Sequence, residues 1–212
     1  MMELILIRHA ESEMSGRYLG RTDPPLSKRG RAQAEALARR LAVEPLPALY
    51  SSPLRRALDT AQAIAAPHGL EVSVVAELAE LDFGAWDGLS YEEIERRDPE
   101  RLARWLADPT AVHPPGGETL THMRQRVMAA AQAIVARHPQ GVVTIVSHGG
   151  PIRALVCHVL GLPLEAQWQI GQDFAALTRL DWYETEVVLS LLNDTCHLSP
   201  QSSVLMEGRS NG

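Results

Sequence analysis

A short apolar run near the start of the chain, Leu4-Ile5-Leu6-Ile7, is its most constraining stretch, because it ends abruptly in Arg8 and His9. Consecutive apolar residues with no polar alternation predict a strand buried on both faces, as in a parallel sheet covered by helices. Ligands of such open sheets bind beyond the C-terminal ends of the strands. A buried strand has little packing reason to end in a guanidinium and an imidazole. Arg8 and His9 are therefore candidate site residues.

Later segments extend the same pattern. Ser27 is a good N-cap for a helix carrying Leu37, Ala38 and Leu41 on one stripe. Ala48-Leu49-Tyr50 is a short candidate strand, and Pro53 at a first helical position opens a second helix that ends at Pro67 and Gly69. Residues 71–75 read as a strand. Residues 141–146 form a second strongly buried strand delivering Ser147-His148-Gly149-Gly150, and Pro151 opens the helix after it. Residues 174–182 and 186–192 suit two further strands joined by a turn. Strands alternating with helices predict an α/β fold with a mostly parallel sheet, to which the last two strands add an antiparallel edge.

Between residues 84 and 117 the texture changes. Trp86, Tyr91 and Trp105 are interleaved with charges, and Pro99, Pro109, Pro114 and Pro115 punctuate short helical pieces. This predicts an insertion lying over the sheet. A long amphipathic helix follows over about 118–138. The 212 residues are expected to form a single domain over 1–198, with the insertion as a cap and a flexible tail at 199–212.

Composition narrows the partners. Twenty basic and 26 acidic residues give a net charge of −6, so no basic face is implied and nucleic acid is not expected as a partner. No apolar run reaches spanning length, so no membrane partner is expected, and the N-terminus lacks the regions of a signal peptide. The two cysteines, Cys157 and Cys196, make no disulfide framework and agree with a cytoplasmic location.

Three places share one geometry: Arg8-His9 after a strand, Arg55-Arg56 in the first turn of a helix after a strand, and His148-Gly149-Gly150 between strand and helix. A helix N-terminus offers unpaired N–H groups and partial positive charge, so an arginine there is unfavourable unless an anion is near. Guanidinium, imidazole and helix N-terminus together describe an oxyanion site, and phosphate is the expected anion. Taken singly, Arg55 and Arg56 read as surface charges and His148 as a buried structural histidine. Their joint occurrence at strand ends favours a site. The eight histidines show no HExxH and no pair one helical turn apart, so no metal is expected. Neither a G-x-S-x-G elbow, a P-loop nor a GxGxxG is present. Phosphoryl transfer at such a site needs a nucleophile, for which His9 is the candidate, and an acid for the leaving oxygen. Glu80 fits the latter because leucines flank it and it follows a strand, with Glu77 and Asp82 as rivals.

The stretch Leu6-Ile7-Arg8-His9-Ala10-Glu11-Ser12 resembles the RHG signature of the histidine phosphatase superfamily, the phosphoglycerate mutase-like family. The resemblance continues through Gly20-Arg21-Thr22-Asp23-Pro24-Pro25-Leu26-Ser27, Ser51-Ser52-Pro53-Leu54-Arg55-Arg56-Ala57 and the segment from Glu80 to Gly88. It resumes in Pro115-Gly116-Gly117-Glu118-Thr119 and Val146-Ser147-His148-Gly149-Gly150, and ends in Leu192-Asn193-Asp194-Thr195-Cys196-His197-Leu198. It implies a three-layer α/β/α sandwich of phosphoglycerate mutase-like type with a small helical cap. It further implies that His9 becomes phosphorylated, that Arg8, Arg56, His148 and Gly149 hold the phosphoryl group, and that Glu80 serves as acid and then base, without a cofactor. Ser15 stands where many members have an asparagine touching the phosphate and is expected to bind phosphate, directly or through water, and Ala10 replaces the signature glycine. Arg21, Trp86, Tyr91, Glu118 and Thr119 are expected to contact substrate.

The compact length and short cap resemble the hydrolase branch, which includes α-ribazole phosphatase and broad-specificity enzymes. The expected function is thus hydrolysis of a small-molecule phosphomonoester through a phosphohistidine. The alternatives are a cofactor-dependent phosphoglycerate mutase and a non-catalytic phospho-ligand or protein-binding module. A homodimer is a candidate assembly, and oligomeric state is left open.

Overall fold

The structure, a computed structural model, describes residues 1–184 and 186–198. The tail expected at 199–212 lies outside the described residues. Six strands form one sheet: β1 (Met2–Arg8), β2 (Leu49–Ser51), β3 (Val72–Val74), β4 (Gly141–Ser147), β5 (Leu177–Trp182) and β6 (Val187–Asp194), in the order β3-β2-β4-β1-β5-β6. The pairs β1–β4, β2–β4 and β2–β3 are parallel, whereas β5 runs antiparallel to β1 and β6 antiparallel to β5. The expected mixed sheet with an antiparallel edge is what forms.

The opening run is buried on both faces. Leu4 and Leu6 join a cluster with Met123, Val127 and Ile134 of α5 (Leu120–Arg137) and Ile152 and Leu155 of α6 (Gly149–Val159). Ile5 and Ile7 point the other way, onto Ala34, Leu37 and Leu41 of α1 (Lys28–Leu41) and Ala57, Ala61 and Ile64 of α2 (Arg55–Ala65). Three layers result, as the period-2 alternation of a strand between two helical faces requires. Ser27 caps α1 by accepting from the N–H of Gly30.

The 84–117 segment carries α3 (Tyr91–Arg97) and α4 (Pro99–Ala107). Ser90 and Glu93 form a reciprocal capping box at the start of α3. Trp86, Ile94, Leu102 and Trp105 of this cap belong to the same buried cluster as α5 and α6.

One strand boundary differs from expectation in a way that matters for the site. β5 begins at Leu177 rather than at Phe174, because Ala175 adopts φ +59 and the N–H of Ala176 turns back to the carbonyl of Asp173. A left-handed non-glycine residue breaks a ladder that apolar pattern alone would continue. The turn is pinned to β1 by Ala175 N–H to His9 O at 3.2 Å and Arg8 N–H to Ala176 O at 3.2 Å.

Candidate active site

The parallel strands end together. Arg8 is in register with Ser147, the N–H of His9 donates to Ser147 O at 2.9 Å, and that of Ser52 donates to Val146 O at 3.0 Å. β1, β2 and β4 thus release His9, Ser52 and His148 side by side at their C-terminal ends, where α2 and α6 begin. Their rings meet: His9 and His148 stand edge to face, 4.9 Å between centroids. Both residues are almost fully buried, at 5% and 0% exposure.

Two guanidiniums flank this pair. Arg56, only 1% exposed, donates to Thr22 O at 3.0 Å and Leu19 O at 2.8 Å, which ties the loop before α1 to the first turn of α2. Its neighbour Arg55 turns outward and pairs with Asp59 at 3.4 Å. Between these two arginines, Arg56 is the one at the site. Arg8 donates through Nη1 to the carbonyl of Gln172 and stacks on Phe174, with Cζ 3.9 Å from the ring centroid. Its Nε has no partner among the described residues. Burial pulls Arg8 down to about 10, against the raising influence of Glu80.

Both histidines are held neutral. Burial pushes His9 and His148 well below the usual histidine range, and the charges of Arg56 and Arg8 push the same way. The carbonyl of Ala10 lies 2.7 Å from His9 Nδ1. A carbonyl only accepts, so Nδ1 carries the hydrogen and Nε2 the lone pair. His9 is therefore an unprotonated nitrogen nucleophile in form.

Glu80 reaches the same place from the segment after β3. Its carboxylate accepts from Leu81 N–H at 2.9 Å and Gly150 N–H at 3.3 Å. The backbone that carries it is clamped by Arg126 of α5, which donates to the carbonyls of Glu77 (2.6 Å), Ala79 (2.7 Å) and Glu80 (2.8 Å). Arg126 also pairs with Glu118, which accepts from the N–H of Asp82 at 3.0 Å. Ser147 Oγ donates to Leu78 O at 2.7 Å and fastens the segment to β4.

A cavity of about 240 Å³ opens at His9, lined among others by Arg8, His9, Ser15, Arg56, Glu80 and Arg153; His148, at 0% exposure, packs on His9 but is not part of its wall. Gly149 opens α6 beside it, where a methyl group would lie 3.6 Å from Arg8 Nε and from Arg153 Nη1. Of the residues expected to contact substrate, none lines this cavity. Trp86 is 2% exposed in the cap core against Trp105, and its indole donates to Asp98 at 3.3 Å. Tyr91 is exposed on α3 and bonds Glu95. Arg21 pairs with Asp82 at 3.2 Å, Glu118 serves the Arg126 clamp, and Thr119 caps α5. Polar or aromatic residues in a cap segment gave no signal separating surface from core.

The cavity holds side chains that sequence reasoning did not single out: Ser12, Arg17, Tyr18, Phe83, Arg153 and Phe174. Arg153 had a readable signal, one helical turn beyond Gly149, and its Nε is anchored to Ile170 O at 2.8 Å. Phe174 had none, since it depends on the Ala175 turn. Among the described residues, no three His, Cys, Asp or Glu side chains gather as a metal site, and no helix is long and apolar enough to cross a membrane.

Comparison with known proteins agrees with this geometry. The model of the histidine phosphatase superfamily (branch 1) matches residues 4–195. Phosphoserine phosphatase 1 of Hydrogenobacter thermophilus is 42% identical over 200 residues, covering 93% of this chain and 95% of that protein. The adenosylcobalamin/alpha-ribazole phosphatase of Escherichia coli is 31% identical over 195 residues, covering 91% of this chain and 96% of that protein. The solved structure of Bacillus stearothermophilus YhfR superposes with a TM-score of 0.88 at 28% identity, over 94% of this chain and 100% of that one. The chain belongs to the histidine phosphatase superfamily and is a phosphatase, a hydrolase.

Proposed function

We propose that His9 carries the phosphoryl group during hydrolysis of a small phosphomonoester. The observation that supports this most directly is the 2.7 Å contact from His9 Nδ1 to Ala10 O, which leaves the lone pair on Nε2 of a residue that shares its cavity with Arg8, Arg56 and Glu80. Nε2 attacks phosphorus and the P–O ester bond breaks. Glu80 gives its proton to the leaving alkoxide, completing the alcohol product. In the second half Glu80 takes a proton from water, whose oxygen attacks phosphorus. The P–N bond breaks, inorganic phosphate leaves, and His9 and Glu80 return to their starting forms. Arg8, Arg56, His148 and the N–H groups at Gly149 hold the phosphoryl oxygens, whose charge is met by guanidiniums in a water-poor site. Ser15, at the cavity wall, contacts the phosphate or its water.

Two substrates come to this chain from its relatives, phosphoserine and the phosphate ester of α-ribazole. We place phosphoserine first, on the higher identity of that relative. A panel of phosphomonoesters assayed for phosphate release tests the reading, and no release from any of them overturns it. An acid-labile, base-stable label on the quenched protein is expected, absent from His9→Ala. Cytoplasmic residence is proposed on the unpaired Cys157 and Cys196. Homodimer formation is proposed on the outer strand β6, where Val188 and Leu192 are exposed, and light scattering reads it.

A further inference from the structure

Ser52 closes β2 with a side chain at 0% exposure, and its Oγ lies 2.7 Å from Nε2 of His148. The same oxygen accepts from the N–H of Leu54 at 3.3 Å, a contact in which the backbone can only donate. The hydroxyl hydrogen then has one acceptor among the described residues, Nε2 of His148. With the polarity reversed, Nε2–H would donate to Oγ and the hydroxyl hydrogen would be stranded in a site closed to water, an arrangement buried polar groups avoid. The lone pair therefore belongs on Nε2 and the hydrogen on Nδ1. Nδ1 of His148 is itself buried and has no partner among the described residues. An N–H donor without an acceptor, on a ring 4.9 Å from that of His9, is a group waiting for an anion.

We propose that Ser52 is a positioning residue: its hydroxyl holds His148 in the Nδ1–H tautomer, so that a neutral imidazole donates Nδ1–H to a phosphoryl oxygen beside His9. The opposite tautomer would turn a lone pair toward the anion. Burial and the flanking charges of Arg56, Arg8 and Arg126 favour the neutral ring. The proposal rests on the reading that His148 contacts the phosphoryl group. It gives a use to the second serine of Ser51-Ser52-Pro53, which a helix-capping role alone does not explain, since accepting from Leu54 needs no hydroxyl hydrogen.

The test is nitrogen-15 NMR of the full chain labelled at histidine, free and with inorganic phosphate. Two-bond couplings to the ring carbon-bound hydrogens distinguish Nδ1 from Nε2. In the free protein His148 is expected to show a protonated Nδ1 and an unprotonated Nε2. Ser52→Ala is expected to move part of the population to the Nε2–H form and to lower kcat about tenfold, with a much smaller change in KM. Ser52→Thr, which keeps the hydroxyl, is expected to restore the Nδ1–H form. A protonated Nε2 in the unaltered protein, or an unchanged tautomer in Ser52→Ala, overturns the proposal. The first of these decides even if Ser52→Ala does not fold. His148→Ala with unchanged kcat would instead sink the underlying reading, whatever the tautomer.

Discussion

Gly150 faces the carboxylate of Glu80 so closely that a methyl group in place of its hydrogen would sit 2.4 Å from Oε1. Something must move if that position gains a side chain. The movable partner is Glu80, whose carboxylate is the far end of a flexible side chain, whereas Gly150 belongs to the backbone of the first turn of α6. We expect Gly150→Ala to fold and to lose roughly hundredfold in kcat, the low end of a general acid's contribution. The loss should be larger for esters with poor leaving groups. Equal loss on good and poor leaving groups would show that Glu80 is not the proton donor.

Arg126 has every guanidinium nitrogen engaged, with three carbonyls around Glu80 and the carboxylate of Glu118. A lysine offers a compact charge and cannot reproduce that fork. Arg126→Lys and Arg126→Ala are both expected to lower unfolding free energy, by about 2–3 kcal/mol for alanine. Denaturant titration measures this. Glu118→Gln should weaken the clamp less, because its amide oxygen still accepts from Asp82.

Adjacent arginines should behave as opposites. Arg56→Ala removes a buried guanidinium from the cavity and strands the carbonyls of Leu19 and Thr22. We expect kcat/KM to fall at least 10²-fold, in line with loss of one preorganised donor to a transferring group. Arg55 is exposed, so Arg55→Ala should leave kcat/KM unchanged. Steady-state kinetics of the pair checks both.

The buried imidazoles make stability depend on pH. Below the ordinary histidine pKa of about 6.5 the unfolded chain takes up protons that folded His9 and His148 refuse. The stability they confer as neutral rings is therefore complete above that pH. It declines as pH falls below it, by up to about 1.4 kcal/mol per pH unit for each ring. Urea unfolding at pH 7.5 and 5.5 should show the drop. The double variant His9→Gln, His148→Gln should show a smaller one.

How much of this was readable beforehand depends on the kind of residue. Leu4 to Ile7 and Val142 to Val146 announce themselves, because burial on both faces leaves no polar alternation. Arg8, His9, Arg56 and His148 were legible as a group because each follows a strand, and parallel strands end on one side. The cap was legible as a segment but not in its surfaces. Trp86 and a substrate-contacting tryptophan have the same composition, and only packing against Trp105 tells them apart. Glu118 and Thr119 were expected at the substrate; in the structure Glu118 pairs with Arg126 and Thr119 caps α5, roles that composition does not announce. Phe174 was hidden by a left-handed alanine, a conformation with no compositional cue.

The sheet order carries a consequence for how the enzyme comes to be active. β1 and β2 are not neighbours; β4, made some ninety residues after β2, lies between them. A chain that ends before β4 contains His9, Ser52, Arg56 and Glu80, but neither the strand that joins β1 to β2 nor His148. Insertion of β4 as a wedge joins the two halves and supplies His148 in the same event. Bringing these side chains together thus needs pairings between strands far apart in sequence, the kind of contact that costs most loop-closure entropy.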